Sequence, residues 1–165
     1  MSLQHRTPAH QFRGFSLIEL MVVVAIGAIL FAIAVPSYMS YIRQARRTDA
    51  RTAVLDLAAR EERWLSTNPG GYTTTAGNLG YPALPVTTSN GYYSVNVCIA
   101  GAGAALGAGC DPNANAPAGP SFYVTATPLG NQTGDTQCAS FSVDSLGAQF
   151  VGPASTQTAA YCWAN

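Results

Sequence analysis

Hydrophobic and polar positions fall into three regimes along this chain. Phe15 to Val35 is an apolar block of 21 residues in which only Ser16, Glu19 and Gly27 are not hydrophobic. At ~1.5 Å per residue such a helix is about 31 Å long, the thickness of a bilayer's hydrocarbon core. Between Tyr38 and Ser66 there is no Gly or Pro, and Ile42, Ala45, Ala50, Ala53, Val54, Leu57, Ala58 and Leu65 recur mostly at i, i+3, i+4, the spacing of an amphipathic helix. One helix is therefore predicted over residues 15–66, stopped by Thr67-Asn68-Pro69-Gly70-Gly71. Pro36 removes a backbone donor and crowds the preceding turn, so a kink or local melting is expected there. The third regime alternates. Tyr93, Val95, Val97 and Ile99 share one face, 122–127 and 139–143 read likewise, and Asp144-Ser145-Leu146-Gly147 turns into a short strand near 149–151. The pattern predicts an α+β architecture, with roughly four antiparallel strands packed on the amphipathic half of the helix and residues 72–91 as the connecting loop.

Composition sharpens this division. The 165 residues are 48% hydrophobic and only 10% charged, which excludes a disordered chain. There is no lysine, and all eight arginines lie at or before Arg63. Residues 64–165 carry only Asp111, Asp135 and Asp144 as charges, a formal −3, together with 14 of the 16 glycines and all four cysteines. Nucleic acid is not an expected partner for such a region, because phosphate neutralisation needs Lys or Arg. No catalytic set emerges. The two histidines, His5 and His10, precede the apolar block, and Ser and Asp residues lie scattered. Asp111-Pro112-Asn113-Ala114-Asn115 opens like a calcium loop, but Ala116 and Phe122 stand where Gly and the bidentate acid belong. No metal or other cofactor is expected.

The apolar block is too long for a secretory signal and lacks a small-residue cleavage site, so a membrane-crossing helix is expected. Its flanking charges conflict with its cysteines. Arg43, Arg46, Arg47 and Arg51 outnumber Arg6 and Arg13 and would put the C-terminal side in the cytoplasm, whereas four cysteines suit an oxidising compartment; the cysteines are given the greater weight. The cluster Arg43–Arg51 reads either as the solvated face of the helix or as a contact for anionic headgroups or neighbouring acids. Glu19 is costly inside lipid and calls for a partner or an end position that complements the helix dipole.

Arg13-Gly14-Phe15-Ser16-Leu17-Ile18-Glu19-Leu20, followed by Pro36, resembles the N-terminus of type IV prepilins and pseudopilins, with their class III leader. The resemblance implies a leader over 1–14, cleavage between Gly14 and Phe15 by a prepilin peptidase, N-methylation of Phe15, and subunit assembly through Glu19 and Pro36. It divides the rest into a filament-core helix at 15–41, its amphipathic half at 42–66, and a globular head at 67–165. Ala59-Arg60-Glu61-Glu62-Arg63-Trp64 running to Asn68-Pro69-Gly70-Gly71-Tyr72-Thr73, together with Thr125-Ala126-Thr127-Pro128 and Cys162-Trp163, is similar to PilE-like minor pilins, with Glu61 in place of the usual Gln. Four cysteines allow three pairings. Likeness to pilins favours Cys138–Cys162, clamping the C-terminal segment, and with it Cys98–Cys110. The implied partners are other pilin subunits, the peptidase and the inner-membrane assembly machinery, with the head periplasmic before assembly and extracellular after it. A type II secretion pseudopilin and a DNA-binding competence pilin are the alternatives.

Overall fold

The computed structural model describes residues 14–100 and 121–164. The chain divides into an N-terminal unit ending at Met39 and a second unit from Ser40 onward. The leader residues before Gly14, the Asp111–Asn115 stretch and Cys110 of the expected Cys98–Cys110 pair lie outside the described residues.

Helix α1 spans Leu17–Thr67. Ser16 stands at its N-cap, and the Glu19 backbone N–H donates to Ser16 Oγ at 3.3 Å. Ser16-x-x-Glu19 is thus the S-x-x-E capping signature, which satisfies an otherwise orphaned donor. The helix runs through Pro36 without leaving the α conformation, so the local melting anticipated at that residue is absent. At the other end the Asn68 amide caps the Trp64 carbonyl at 3.2 Å.

In the second unit, the buried positions of α1 are Arg47, Ala50, Val54, Leu57 and Glu61. Their spacing alternates three and four, one stripe down the helix. Ala50, Val54 and Leu57 pack with Tyr93, Val95, Val97, Phe122, Val124, Ala126, Phe141 and Val143 in a single core. That core lies between α1 and a five-stranded antiparallel sheet in the order of the sequence, β1 (Val86–Thr87), β2 (Tyr93–Ala100), β3 (Ser121–Pro128), β4 (Phe141–Asp144) and β5 (Gln149–Val151). Register sets Val95 opposite Ala126 and Val124 opposite Val143. Asp144 builds the β4–β5 turn, accepting from the N–H groups of Leu146 at 2.9 Å and Ala148 at 2.8 Å. Gly147 supplies the φ of +80° that the turn requires.

Three details differ from the sequence pattern. The segment expected to be loop contains β1, whose two residues pair with Ser94 and Val95 and bring the strand count among the described residues to five. On β2 the alternation breaks: Cys98 is buried and Ile99 half-buried. β3 and β4 are buried on both faces, with Thr125 and Ser142 sharing a hydroxyl hydrogen bond of 3.1 Å on one of them. A short helix α2 (Ala159–Ala164) closes the chain. Cys162 within it is bonded to Cys138, with Cα atoms 5.8 Å apart, and the Trp163 indole donates to the Phe150 carbonyl at 3.0 Å.

Candidate assembly surface

Every residue from Gly14 to Tyr41 is exposed except half-buried Gly27. Phe15, at 85% exposure, and the Leu, Ile, Val, Met and Phe residues that follow it show apolar side chains to solvent all round the helix. A helix apolar on every side is built to be buried by something else, and α1 is long and apolar enough to cross a membrane. Glu19, in the first turn, is the sole charge between Phe15 and Tyr41. It joins neither ion pair of the described residues, which are Arg47–Asp135 and Arg60–Asp56. A Cβ built at Gly14 would meet nothing within 4 Å, so packing within the chain does not demand glycine at that position. Gly14, Phe15, Glu19 and Pro36 therefore belong to one exposed segment, whereas Cys138 and Cys162 belong to the head.

The arginine cluster is where the structure departs most from the sequence reading. Of the two readings of Arg43–Arg51, the solvated face is not observed; Arg47 is buried and Arg43, Arg46 and Arg51 are half-buried against the rest of the chain. Arg47 is 2% exposed and grips Asp135 with two bonds, Nε to Oδ2 at 2.7 Å and Nη2 to Oδ1 at 2.9 Å, while Nη2 also reaches Gln137 Oε1 at 2.8 Å. Burial is the largest single influence and works against the guanidinium charge, but the hydrogen bonds and charges of Asp135 and then Tyr161 together outweigh it and leave the Arg47 pKa raised. Gln132 joins this cluster by donating to Tyr93 Oη at 3.0 Å and to the Arg43 carbonyl at 3.2 Å. Burial chiefly pushes the Tyr93 hydroxyl up to about 12. Arg43 rests its guanidinium on Gly134, where a Cβ would come within 2.9 Å of it. Arg46 stacks over the Tyr92 ring at 3.9 Å, and Arg51 donates to the Trp163 carbonyl at 2.7 Å.

The reason is geometric. Residues 43, 47 and 51 are four apart, so they fall on one side of α1, next to the stripe that begins at Arg47. A pattern that counts charged residues as solvent-facing cannot find them, since their partners lie up to 112 residues away. Farther along, Arg60 Nε binds Asp56 Oδ2 at 2.8 Å and Tyr81 Oη donates to the same oxygen at 2.6 Å. The Tyr81 hydrogen bond, then Arg60, hold the Asp56 carboxyl below its ordinary value. Arg63 is exposed.

Comparison with known proteins bears on both halves. Residues 36–142 match the family described as type IV minor pilin ComP, DNA uptake sequence receptor. Residues 10–35 match the prokaryotic N-terminal methylation motif. Prepilin peptidase-dependent protein D of Escherichia coli (strain K12) is 52% identical over 66 residues, 36% of this chain and 44% of that protein. The type IV major pilin protein PilE1 of Neisseria gonorrhoeae is 36% identical over 87 residues, 48% of this chain and 41% of that one. The chain thus spans less than half the length of these curated relatives. A solved type IV pilin from Shewanella oneidensis aligns over 65% of this chain and 89% of its own, at 24% identity and a TM-score of 0.40.

Proposed function

The chain belongs to the type IV minor pilin family of ComP, a structural pilus subunit, and from that premise we propose that it is a minor subunit processed at Gly14–Phe15 and assembled through the exposed half of α1. The observation that carries this reading is the bare apolar helix with a single carboxylate, Glu19, in its first turn. Cleavage after Gly14 by a prepilin peptidase would give Phe15 a new amino terminus, the site of N-methylation. In a packed bundle of such helices, the Glu19 carboxylate of one subunit pairs with the Phe15 ammonium of a neighbour. An ion pair in an apolar interior sets register, because leaving either charge alone is strongly unfavourable. Before assembly α1 anchors the subunit in the inner membrane, where the assembly machinery takes it up, with the disulfide-closed head in the periplasm. Assembly then carries it into the extracellular filament, where its role is structural and not enzymatic.

Glu19→Ala tests this. Mass spectrometry should still find a mature chain beginning at methylated Phe15, while sheared surface filaments should lose most of the subunit. Normal filament content in the variant would sink the pairing. Restriction of the wild-type subunit to the periplasm would instead favour a type II secretion pseudopilin.

A second reading, a DNA-contacting pilin, is favoured by the description of the matching family. Charge placement opposes it. Arg46, Arg47, Arg51 and Arg60 are engaged within the chain, which leaves half-buried Arg43 and exposed Arg63 as the phosphate contacts on offer among the described residues. Salt-dependent gel retardation of duplex DNA by the full chain in detergent would revive the DNA reading.

A further inference from the structure

The buried stripe of α1 has a charge-bearing residue at each end, Arg47 and Glu61, and only Arg47 has a counter-ion. Glu61 is fully buried, at 0% exposure. Its Oε2 accepts the backbone N–H of Thr73 at 3.1 Å, tying the helix to the segment that leaves it, and its Oε1 has no hydrogen-bond partner. We propose that Glu61 is an acid-set clasp: protonated, it fastens residues 71–75 to α1; ionised, it lets that segment open so that water can reach the carboxylate.

The surroundings fit this role. A lone buried carboxylate is destabilising unless it is paired or hydrated. The charged side chain that acts on it is of the wrong sign to help it ionise. Glu62, next to it on α1, opposes ionisation by its own negative charge. Tyr72, on the clasped segment, donates its hydroxyl to Glu62 at 3.1 Å. The nearest arginine in sequence, Arg60, is committed to Asp56 and to the Leu79 carbonyl at 3.0 Å. Burial first, partly offset by the Thr73 hydrogen bond, pushes the Glu61 carboxyl from 4.5 up to about 7. A group whose closed-state pKa is raised stabilises the closed state fully below its open-state pKa and loses that contribution as pH rises to the closed-state value. The working window is therefore about pH 4.5 to 7, the clasp being tight at the acid end. This inference does not depend on the filament reading.

The test is amide exchange of Thr73 and its neighbours in the full chain in detergent micelles, corrected for intrinsic pH dependence, in wild type and Glu61→Gln. The wild-type opening constant should rise about tenfold per pH unit from roughly 4.5 to 7, about 300-fold in all, and then level off. Glu61→Gln should show no such rise. A wild-type opening constant flat with pH, or an equal rise in the variant, overturns the proposal. Direct titration of the Glu61 carboxyl carbon by NMR needs no variant: a midpoint near 7 supports the clasp, and one near 4.5 overturns it.

Discussion

Two residues carry the polar logic of the head, and neither is legible from its own neighbourhood in the sequence. Arg47 sits among Arg46, Thr48 and Asp49 and looks like part of a solvated basic run, because amphipathic patterning counts every charge as outward-facing. What buries it is Asp135, 88 residues on, and single-sequence periodicity has no access to pairs at that distance. Removing one partner of a buried ion pair leaves an uncompensated charge, so Asp135→Ala should destabilise the head by about 3–5 kcal/mol in thermal or denaturant unfolding. Replacing both residues, as in Arg47→Met with Asp135→Leu, should cost far less. Equal losses in the single and double variants would show that the cost comes from losing the pair itself and not from a stranded charge. Glu61 escaped the pattern for the same reason. Glu19, by contrast, stood out in the sequence because nothing else in its block is charged, and the Ser16 cap beside it could have been read from the S-x-x-E spacing.

At the scale of elements, legibility follows length and period. The apolar block and the amphipathic stretch were readable because 51 consecutive residues form one helix and bury a stripe with helical spacing. β2 to β5 were visible as alternation and turn chemistry. β1 was not, since two residues hold no period and Pro82 and Pro85 argue against a strand there. Nor was α2 visible, six residues ending at Ala164 whose position depends on Cys162 and Trp163 more than on helix propensity. The bond from Cys138 to Cys162 spans 24 residues, and a loop of that size contributes roughly 3 kcal/mol in the chain-entropy model. Cys162→Ser should lower stability by about that amount and expose Trp163, which fluorescence would report. An unchanged melting temperature would mean that the Phe141–Trp163 ring contact, at 5.8 Å, already fixes α2.

For the whole molecule, a charge content of 10% averages two unlike units. The N-terminal unit exposes apolar side chains in every direction, while the unit from Ser40 has a core closed on itself. A chain beginning at Ser40 should therefore stay monomeric in water and keep native strand and helix signals in circular dichroism, whereas the full chain should require detergent. Aggregation of the shortened chain would show that the head depends on the preceding helix. The order of the sheet also bears on how the head is made. Since each strand pairs with its neighbour in sequence, β pairing requires contacts no farther apart than Tyr93 and Pro128, whereas bringing the Arg47 end of α1 to Asp135 must close a gap of 88 residues. Loop-closure entropy grows with that separation, so a meander can zip strand by strand and offer the helix a ready-made cradle. The Arg47 end of α1 is then expected to seat on Asp135 only after the sheet has formed.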